Sequence, residues 1–324
     1  MNLKEFVNEK RLIAPLMGVP GAKFIGSDLG EMLLNPVIHV RSILKLNEMF
    51  NPDILFMAMD LSIEAEALGL SVVFEPHKHP KIKNFFVLTE ENPESLNWKG
   101  FFRSKRIEDY LKSAEILKKR TNVPLAAYVA GPFTLTTLLM GMEKMKTEIT
   151  ENPKFVKKII LRCSELIEEY AERLQKAGAD LVVMLEPIAT FLSPEAFCRL
   201  CGVYIKKIVN SGRIENPILH ICGDTTKLLK EMEKTGVPAL SLDSGVDLFY
   251  ASEILNEGTI IIGNINPILF KDGNKEAIKD LTENLLAKMK YRKNFILSTG
   301  CDIPYDSREE NIREFFKVFK EFTQ

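Results

Sequence analysis

The feature that most constrains the fold is a regular alternation of short apolar runs with longer amphipathic stretches. Eight such runs, rich in β-branched residues, recur along the 324-residue chain. Alternating strand and helix patterns are typical of an α/β fold with a parallel sheet. Eight βα units in one continuous chain predict a (β/α)8 TIM-type barrel. The runs are Ile13–Val19, Ile54–Met59, Leu125–Val129, Leu181–Leu185, Ile218–Ile221, Ala239–Leu242, Ile260–Ile262 and Phe295–Ser298.

The stretches between the runs carry a helical period. From Pro153 to Ala177, apolar side chains recur about every 3.6 residues, and Gly178 follows as a helix cap. A doubly wound open sheet is the alternative architecture. No G-x-G-x-x-G segment follows the first run, which argues against a dinucleotide fold. Because no linker or low-complexity tract divides the chain, we expect one domain over residues 1–324.

One segment interrupts the alternation. From about residue 76 to residue 105 the chain carries three prolines, the two histidines His77 and His79 and its only tryptophan in place of a regular helix. We expect an excursion over the barrel, with both histidines solvated, and not a second domain.

Composition narrows the functional class. The chain is 46% hydrophobic and 27% charged, which is enough for a large core. Its net charge of −1 and the lack of a clustered basic stripe argue against nucleic acid as a partner. No signal-like start appears, and no apolar run approaches the roughly 18 residues that a membrane span needs. We expect a cytoplasmic protein without a membrane partner and with its five cysteines reduced.

A barrel of this kind carries its active site at the carboxyl ends of the strands. His220 and Cys222 alternate along one run, so both side chains point to the same side. Cys301 follows another run and reaches the same face. Two thiolates and a neutral imidazole form a three-ligand zinc set with an open fourth position. The alternative is a hydrogen-bonded histidine beside two small buried cysteines.

The chemistry of such a site favours a thiol substrate. Zinc binds sulfur readily, and coordination removes the thiol proton while the sulfur remains a nucleophile. Two anionic cysteine ligands also weaken the Lewis acidity of the metal. That suits thiol activation better than carbonyl polarisation.

Several motifs occur in a fixed order along the chain. They are Asp60–Gly69, Ala130–Leu135, Glu186-Pro187, Leu192–Glu195, His220–Gly223, Gly263–Pro267 and Gly300–Pro304. From about residue 12 to residue 320, the chain resembles the uroporphyrinogen decarboxylase superfamily. More closely, it resembles the methylcobamide:coenzyme M methyltransferase branch, because the H-x-C pattern with a distant G-C is specific to its zinc methyltransferases.

The resemblance implies a catalytic zinc on His220, Cys222 and Cys301. It also implies methyl transfer from a methylated corrinoid protein to a small thiol such as coenzyme M. No D-x-H-x-x-G cobalamin-binding segment occurs in the chain, so we expect a partner protein to present the methylcorrinoid. The sequence does not locate donors for the sulfonate of coenzyme M, although backbone amides at a helix start would serve.

Three alternative functions stay open. A donor-side methyltransferase would demethylate a small methyl donor and load the corrinoid protein. A non-catalytic barrel would only bind zinc or a corrinoid. Uroporphyrinogen decarboxylase is the third, and Asp60 matches its catalytic aspartate. However, no arginine lies between Arg11 and Arg41, where the decarboxylase carries an arginine-bearing motif, and Cys301 stands where the decarboxylase has a histidine.

The other strand-end residues are weaker candidates. Asp60 and Glu186 are the candidate catalytic residues. Glu186 is interpreted as a displaceable fourth ligand, as a group that orients His220, or as the cap of a neighbouring loop. Asp60 either lines the pocket or caps the following helix. Asp243 and Asn264 are candidate cofactor-binding residues that line the pocket.

The remaining cysteines have a structural interpretation. Cys198 and Cys201 have the spacing of a redox or zinc pair, but no second pair lies beside them, so we predict a packed helix. Cys163 falls on the apolar face of its helix and is predicted to be core.

Overall fold

The computed structural model describes residues 2–86, 88–89 and 92–324. Positions 87, 90 and 91 of the predicted excursion lie outside the described residues. The described residues form ten strands: β1 (Leu12–Ile13), β2 (Leu55–Phe56), β3 (Val72–Glu75), β4 (Lys78–Ile82), β5 (Leu125–Ala130), β6 (Leu181–Leu185), β7 (Pro217–Ile221), β8 (Ala239–Leu242), β9 (Ile260–Ile265) and β10 (Phe295–Thr299).

Eight of these strands form one parallel sheet in the order β1-β10-β9-β8-β7-β6-β5-β2. Its two outer strands meet at a seam. The backbone N–H of Asp53 donates to the carbonyl oxygen of Ile13 at 2.9 Å, and the Asp53 carboxylate accepts from the N–H of Ile13 at 2.8 Å. A side chain therefore completes the hydrogen bonding between β1 and β2. The predicted TIM-type barrel is confirmed.

Helices separate the strands, as βα units require. They are α1 (Leu3–Glu9), α2 (Gly21–Phe24), α3 (Leu29–Leu34), α4 (Pro36–Phe50), α5 (Ile63–Ala67), α6 (Lys105–Arg120), α7 (Pro132–Met140), α8 (Met142–Glu151), α9 (Pro153–Lys176), α10 (Pro194–Phe197), α11 (Val203–Asn210), α12 (Leu229–Glu233), α13 (Leu248–Ile254), α14 (Leu269–Asp272), α15 (Lys275–Lys288) and α16 (Glu309–Thr323). A π-helical turn at Cys198–Gly202 joins α10 to α11, and short 3-10 turns lie at Pro93–Ser95, Phe101–Arg103, Pro187–Phe191 and Thr226–Leu228.

None of the helices in the described part of the chain combines the length and the apolar character that a membrane crossing requires.

The first two predicted strands are much shorter than their apolar runs. β1 ends at Ile13, and Pro15 follows with no N–H to donate to a ladder. Beyond β1, the chain packs directly on the segment after β2. A Cβ added to Gly18 would lie 2.3 Å from the carbonyl oxygen of Met57, so only glycine allows this approach. The seam is thus held by close backbone packing as well as by Asp53.

Alternation along the strands divides the core into two layers. One set of side chains fills the barrel interior, and the other set packs against the helices. The interior cluster includes Phe56, Ala126, Tyr128, Leu181, Val183, Leu185, Ile218, Ala239, Ile260, Ile262 and Ile296. His220 and Ser241 have the same parity as Ile218 and Ala239, so both belong to the interior face.

The predicted excursion contains regular structure. β3 and β4 form an antiparallel hairpin that begins at Val72, before the first proline of the segment. His77 and His79 are exposed, as expected. The ring of His77 nevertheless stacks on Tyr305, with 4.3 Å between ring centroids. The hairpin therefore contacts the loop that follows β10.

Candidate functional site

Three side chains of the types that can ligate a metal meet at the carboxyl ends of β7 and β10. The Nε2 atom of His220 lies 3.2 Å from the Sγ atom of Cys222, which lies 3.5 Å from the Sγ atom of Cys301. The ligand atoms of all three residues lie within 4.8 Å of one another. His220 is buried, and both cysteines are partly exposed. The structure brings together the three residues predicted as metal ligands.

The spacing of this thiol cluster (His220, Cys222 and Cys301) fits one tetrahedral zinc ion. Zinc–sulfur and zinc–nitrogen bonds of about 2.3 and 2.0 Å place neighbouring ligand atoms roughly 3.5–3.8 Å apart. The separations of 3.2 and 3.5 Å are close to that range. Within the described residues, no other group of three such side chains comes this close together.

Ser241 orients the imidazole of the cluster. His220 on β7 is the direct register partner of Ser241 on β8, and the Nδ1 atom lies 3.0 Å from the Ser241 hydroxyl oxygen. A partner at Nδ1 turns Nε2 toward the sulfur atoms. Sequence reasoning missed Ser241. Its signal is present, because Ser241 is the polar residue at an interior position of the run Ala239–Leu242.

The ionisable groups of the cluster shift one another's pKa. The hydrogen bond with Cys222, together with burial, raises the pKa of Cys301 well above its ordinary value. Burial alone would lower the pKa of His220, but Cys301 and Asp243 raise it overall. Both shifts favour the protonated forms of Cys301 and His220 in the protein alone. A divalent cation bound to the cluster would favour the thiolates and the neutral ring instead.

Glu186 lies at the start of a helix, outside the thiol cluster. Its carboxylate accepts from the backbone N–H groups of Phe133 and Thr134 at 2.9 and 2.8 Å, in the first turn of α7. Burial raises its pKa to about 7, although these hydrogen bonds oppose the shift. The sequence allows three interpretations of Glu186: a displaceable metal ligand, a group that orients His220, and a cap of a neighbouring segment. These contacts match the third.

Asp60 belongs to a buried ionic network. Its carboxylate accepts from the N–H and the hydroxyl of Ser62 at 2.8 and 2.7 Å, and it forms an ion pair with Arg106. Arg106 also donates to Glu66 at 2.6 Å and to Ser62 at 3.1 Å. We call Asp60, Ser62, Glu66 and Arg106 the Arg106 network. Helix α5 begins at Ile63 with Ser62 as its N-cap residue, so Asp60 stabilises the turn before the helix.

Asp243 and Asn264 shape the loops beside the thiol cluster. The Asp243 carboxylate accepts from the N–H of Gly223 at 2.7 Å, which ties β8 to the residue after Cys222. The Asn264 amide donates to the carbonyl oxygens of Asp243 and Val246 at 2.9 and 2.7 Å. Both side chains therefore hold the loop after β8 in place next to the cluster.

Glu64 is a second buried acid that sequence reasoning did not single out. Its Oε1 atom accepts from the N–H of Ala130 at 2.7 Å, and its Oε2 atom has no hydrogen-bond partner among the described residues. Burial raises its pKa to about 7. Glu64 lies within the recognised Asp60–Gly69 motif, but nothing in its spacing predicts that the side chain points inward toward β5.

The remaining cysteines lie on helices. Cys163 is buried on α9, where burial raises its pKa to about 12. Cys198 and Cys201 lie in the π-helical turn between α10 and α11. The Cys198 thiol is 2.6 Å from a carboxylate oxygen of Glu231. The predicted packed helix is confirmed.

Comparisons with known proteins agree with this architecture. The family model for uroporphyrinogen decarboxylase (URO-D) matches residues 13–322. Uroporphyrinogen decarboxylase of Prochlorococcus marinus (strain MIT 9215) is 31% identical over 85% of this chain and 81% of its own length. The methylcobamide:CoM methyltransferase MtbA of Methanosarcina acetivorans is 27% identical over 81% of this chain and 78% of its own. A solved structure of a methyltransferase from Methanosarcina mazei has the same fold, with a TM-score of 0.89, 19% identity and 100% coverage of both chains.

Proposed function

Because the chain belongs to the uroporphyrinogen decarboxylase family, we propose that it is a methyltransferase that moves a methyl group from a corrinoid to a thiol. The observation that carries the proposal is the convergence of His220, Cys222 and Cys301 within 4.8 Å. Two thiolates and an imidazole would hold a zinc ion, which could then bind a substrate thiol. The corrinoid would arrive on a partner protein, and the acceptor belongs to the class of small thiols that includes coenzyme M.

A zinc ion on these ligands would lower the pKa of a bound thiol, so that the sulfur is a thiolate at neutral pH. The protein supplies the geometry. Ser241 holds His220 with Nε2 toward the sulfur atoms, and Asp243 fixes the segment after Cys222. The partial exposure of Cys222 and Cys301 leaves the sulfur side open to substrates. In the net reaction a carbon–sulfur bond would form and the carbon–cobalt bond would break. Its electron pair would stay on cobalt, which would pass from cobalt(III) to cobalt(I), and the thiol proton would be released.

The contacts of Asp60 favour this function over decarboxylation. Asp60 matches the catalytic aspartate of the decarboxylase, but here its carboxylate is engaged by Ser62 and Arg106. It is 5% exposed. A group engaged in this way has little capacity left for a substrate. The thiol cluster, in contrast, has no role in a decarboxylation that needs no metal.

The test is methyl transfer from methylcobalamin to several thiols, coenzyme M among them, followed by the cobalamin absorbance change. Zinc is quantified in the same sample. We expect about one zinc per chain and thiol-dependent turnover. Cys301→Ala should lose both, with activity reduced by more than roughly 100-fold. Cys198→Ala, which removes a partly exposed cysteine on a helix, is the matched control and should keep both.

Other results would assign other functions. Zinc with no turnover on any thiol, together with methylation of cob(I)alamin by a small donor, would place the enzyme on the donor side. A protein without zinc would remove the basis of the mechanism. Release of carbon dioxide from uroporphyrinogen would identify a decarboxylase.

A further inference from the structure

Asp243 lies between the two chain segments that carry the cysteines of the thiol cluster. Cys222 directly follows β7, and Cys301 lies two positions after the end of β10. The strands β8 and β9 stand between β7 and β10 in the sheet. The two cysteine-bearing strands are therefore not hydrogen-bonded neighbours, and the segments beyond the strands set the 3.5 Å between the two Sγ atoms. Asp243 directly follows β8, within this gap.

One side of the Asp243 carboxylate holds the segment of Cys222. Its Oδ2 atom accepts from the backbone N–H of Gly223 at 2.7 Å, and Gly223 directly follows Cys222. Gly223 has a φ of 83°, in the left-handed region that favours glycine. The chain therefore turns away directly after Cys222, and the hydrogen bond to Asp243 fixes this turn.

The other side of the carboxylate lies against the segment of Cys301. Its Oδ1 atom accepts from the N–H and the hydroxyl of Ser244, at 2.5 and 3.1 Å. A Cβ atom added to Gly300 would lie 2.6 Å from the same oxygen and 2.5 Å from the Ser244 nitrogen, far inside van der Waals contact. Gly300 directly precedes Cys301. One carboxylate therefore contacts both cysteine-bearing segments.

The backbone around this contact is held by the end of β9. The Asn264 amide donates to the carbonyl oxygen of Asp243 at 2.9 Å, and the N–H of Gly300 donates to the carbonyl oxygen of Ile265 at 2.8 Å. Asn264 and Ile265 are the last two residues of β9, the strand between β8 and β10. The carboxylate thus has a fixed position between the two segments.

We infer that Asp243 is a positioning residue that sets the distance between the thiols of Cys222 and Cys301. The inference rests on the proposed function for its purpose, because two cysteines bind one metal ion only at a suitable spacing. Asp243 acts through the two segments and not as a ligand, since its carboxylate is outside the group of ligand atoms that lie within 4.8 Å of one another.

Phenylarsine oxide measures the spacing of the two thiols without a metal ion. Its arsenic atom forms one bond to each of two sulfur atoms, and its oxygen leaves as water with both thiol protons, so nothing is oxidised or reduced. The measurement uses metal-free protein that carries Cys198→Ala, which leaves Cys222 and Cys301 as the partly exposed cysteines. Competition with a small dithiol gives the Kd.

Asp243→Ala removes both contacts, so the two segments should move more freely and the Kd for phenylarsine oxide should rise at least about tenfold. Asp243→Asn should give a smaller rise, because an amide has one acceptor oxygen for two backbone N–H groups. Gly300→Ala changes no charge but disturbs the same packing, and it should also raise the Kd. It gives a second reading if Asp243→Ala folds poorly, which urea denaturation of each variant shows.

Asp247→Asn is the matched control for Asp243→Asn. Asp247 lies on the same loop, and its carboxylate also accepts from two backbone N–H groups, those of Phe249 and Tyr250 at 2.8 and 3.2 Å. Neither group belongs to a cysteine-bearing segment. This variant should bind phenylarsine oxide with the parent Kd.

A parent-like Kd in Asp243→Ala, Asp243→Asn and Gly300→Ala would overturn the inference. An equal rise in Asp247→Asn and Asp243→Asn would overturn it as well, because any change in the loop would then loosen the cluster. The assay needs neither zinc nor turnover. A protein with the expected Kd pattern but without methyl transfer to any thiol would therefore refute the proposed function and keep the positioning role of Asp243.

Discussion

The Arg106 network and the thiol cluster both lie at the carboxyl ends of barrel strands, yet their interactions differ. In the network, opposite charges meet, and the ends of Arg106 are bound by two carboxylates. In the cluster, two thiols and an imidazole crowd together, and the pKa of Cys301 is raised. In the network every charge has a partner within the protein, so removing one partner would leave a buried charge unpaired. On the proposed function, the cluster is instead completed by a metal ion from outside.

The largest loss of stability is expected when the Arg106 network is broken. Arg106→Met leaves the buried carboxylate of Asp60 without its cation, so the free energy of unfolding should fall by about 3–5 kcal/mol. Urea denaturation measures the change. Zinc content of the folded protein should not change, because Arg106 does not contact the thiol cluster.

The neighbouring Lys105→Met provides the control. Lys105 forms an exposed ion pair with Asp109, with 78% of its side chain accessible. Its loss should cost less than about 1 kcal/mol. Equal costs for the two variants would contradict the distinction between a buried network and a surface pair. Loss of zinc in the Arg106 variant would mean that the two regions are coupled.

Replacing Glu64 should have a smaller effect, which appears as a change in how the free energy of unfolding depends on pH. Burial raises its folded-state pKa to about 7 from an ordinary value of 4.5. Between these values the folded protein binds more protons than the unfolded chain, so stability falls as the pH rises through this window. Glu64→Gln should remove up to about 3 kcal/mol of this decline. Unfolding measured from pH 4.5 to pH 8 checks the slope.

Part of the decline should persist in this variant, because Glu186 has a similarly raised pKa. Glu143→Gln, at an exposed position with 88% of its side chain accessible, should leave the slope as it is in the parent protein. A Glu64 variant with the parent slope would show that this carboxyl group titrates normally.

The smallest effect should come from loosening the thiol cluster without removing a ligand. Ser241→Ala deprives the Nδ1 atom of His220 of its partner, so zinc affinity should fall about 10–100-fold. Competition with a chromophoric chelator measures the affinity. Ser298→Ala is the matched control, because Ser298 is also a buried serine on a barrel strand, and its hydroxyl donates to the carbonyl oxygen of Ala14 at 2.7 Å.

Ser298→Ala should retain the parent zinc affinity. Equal losses in the two serine variants would mean that any buried hydroxyl of the barrel affects the metal, and Ser241 would then have no special orienting role.

The sequence predicts contacts that follow from periodicity. Alternation along one run places His220 and Cys222 on one side, and the common edge of parallel strands brings Cys301 to them. It does not predict contacts between side chains whose separation in the chain follows no period. The pair Asp60 and Arg106 joins a strand end to α6 across 46 positions. The contact of Glu186 with α7 depends likewise on how neighbouring βα units pack.

The first two strands show a second limit of what the sequence can predict. Apolar runs predict where a strand starts, but the end of β1 depends on Pro15 and the end of β2 on its position at the seam. Hydrophobicity continues into both following segments because they remain buried. Burial and hydrogen-bonded pairing are separate properties, and a hydrophobic pattern reports only burial.

The separation of the thiol cluster along the chain has a consequence for biosynthesis. Cys301 lies 79 positions after Cys222, in the segment that follows the last strand of the barrel. A chain still on the ribosome therefore carries only two of the three ligands until its final βα unit emerges. On the proposed assignment, stable zinc uptake comes after translation of β10. Prematurely terminated chains would remain metal-poor, so zinc content would distinguish finished molecules from incomplete ones.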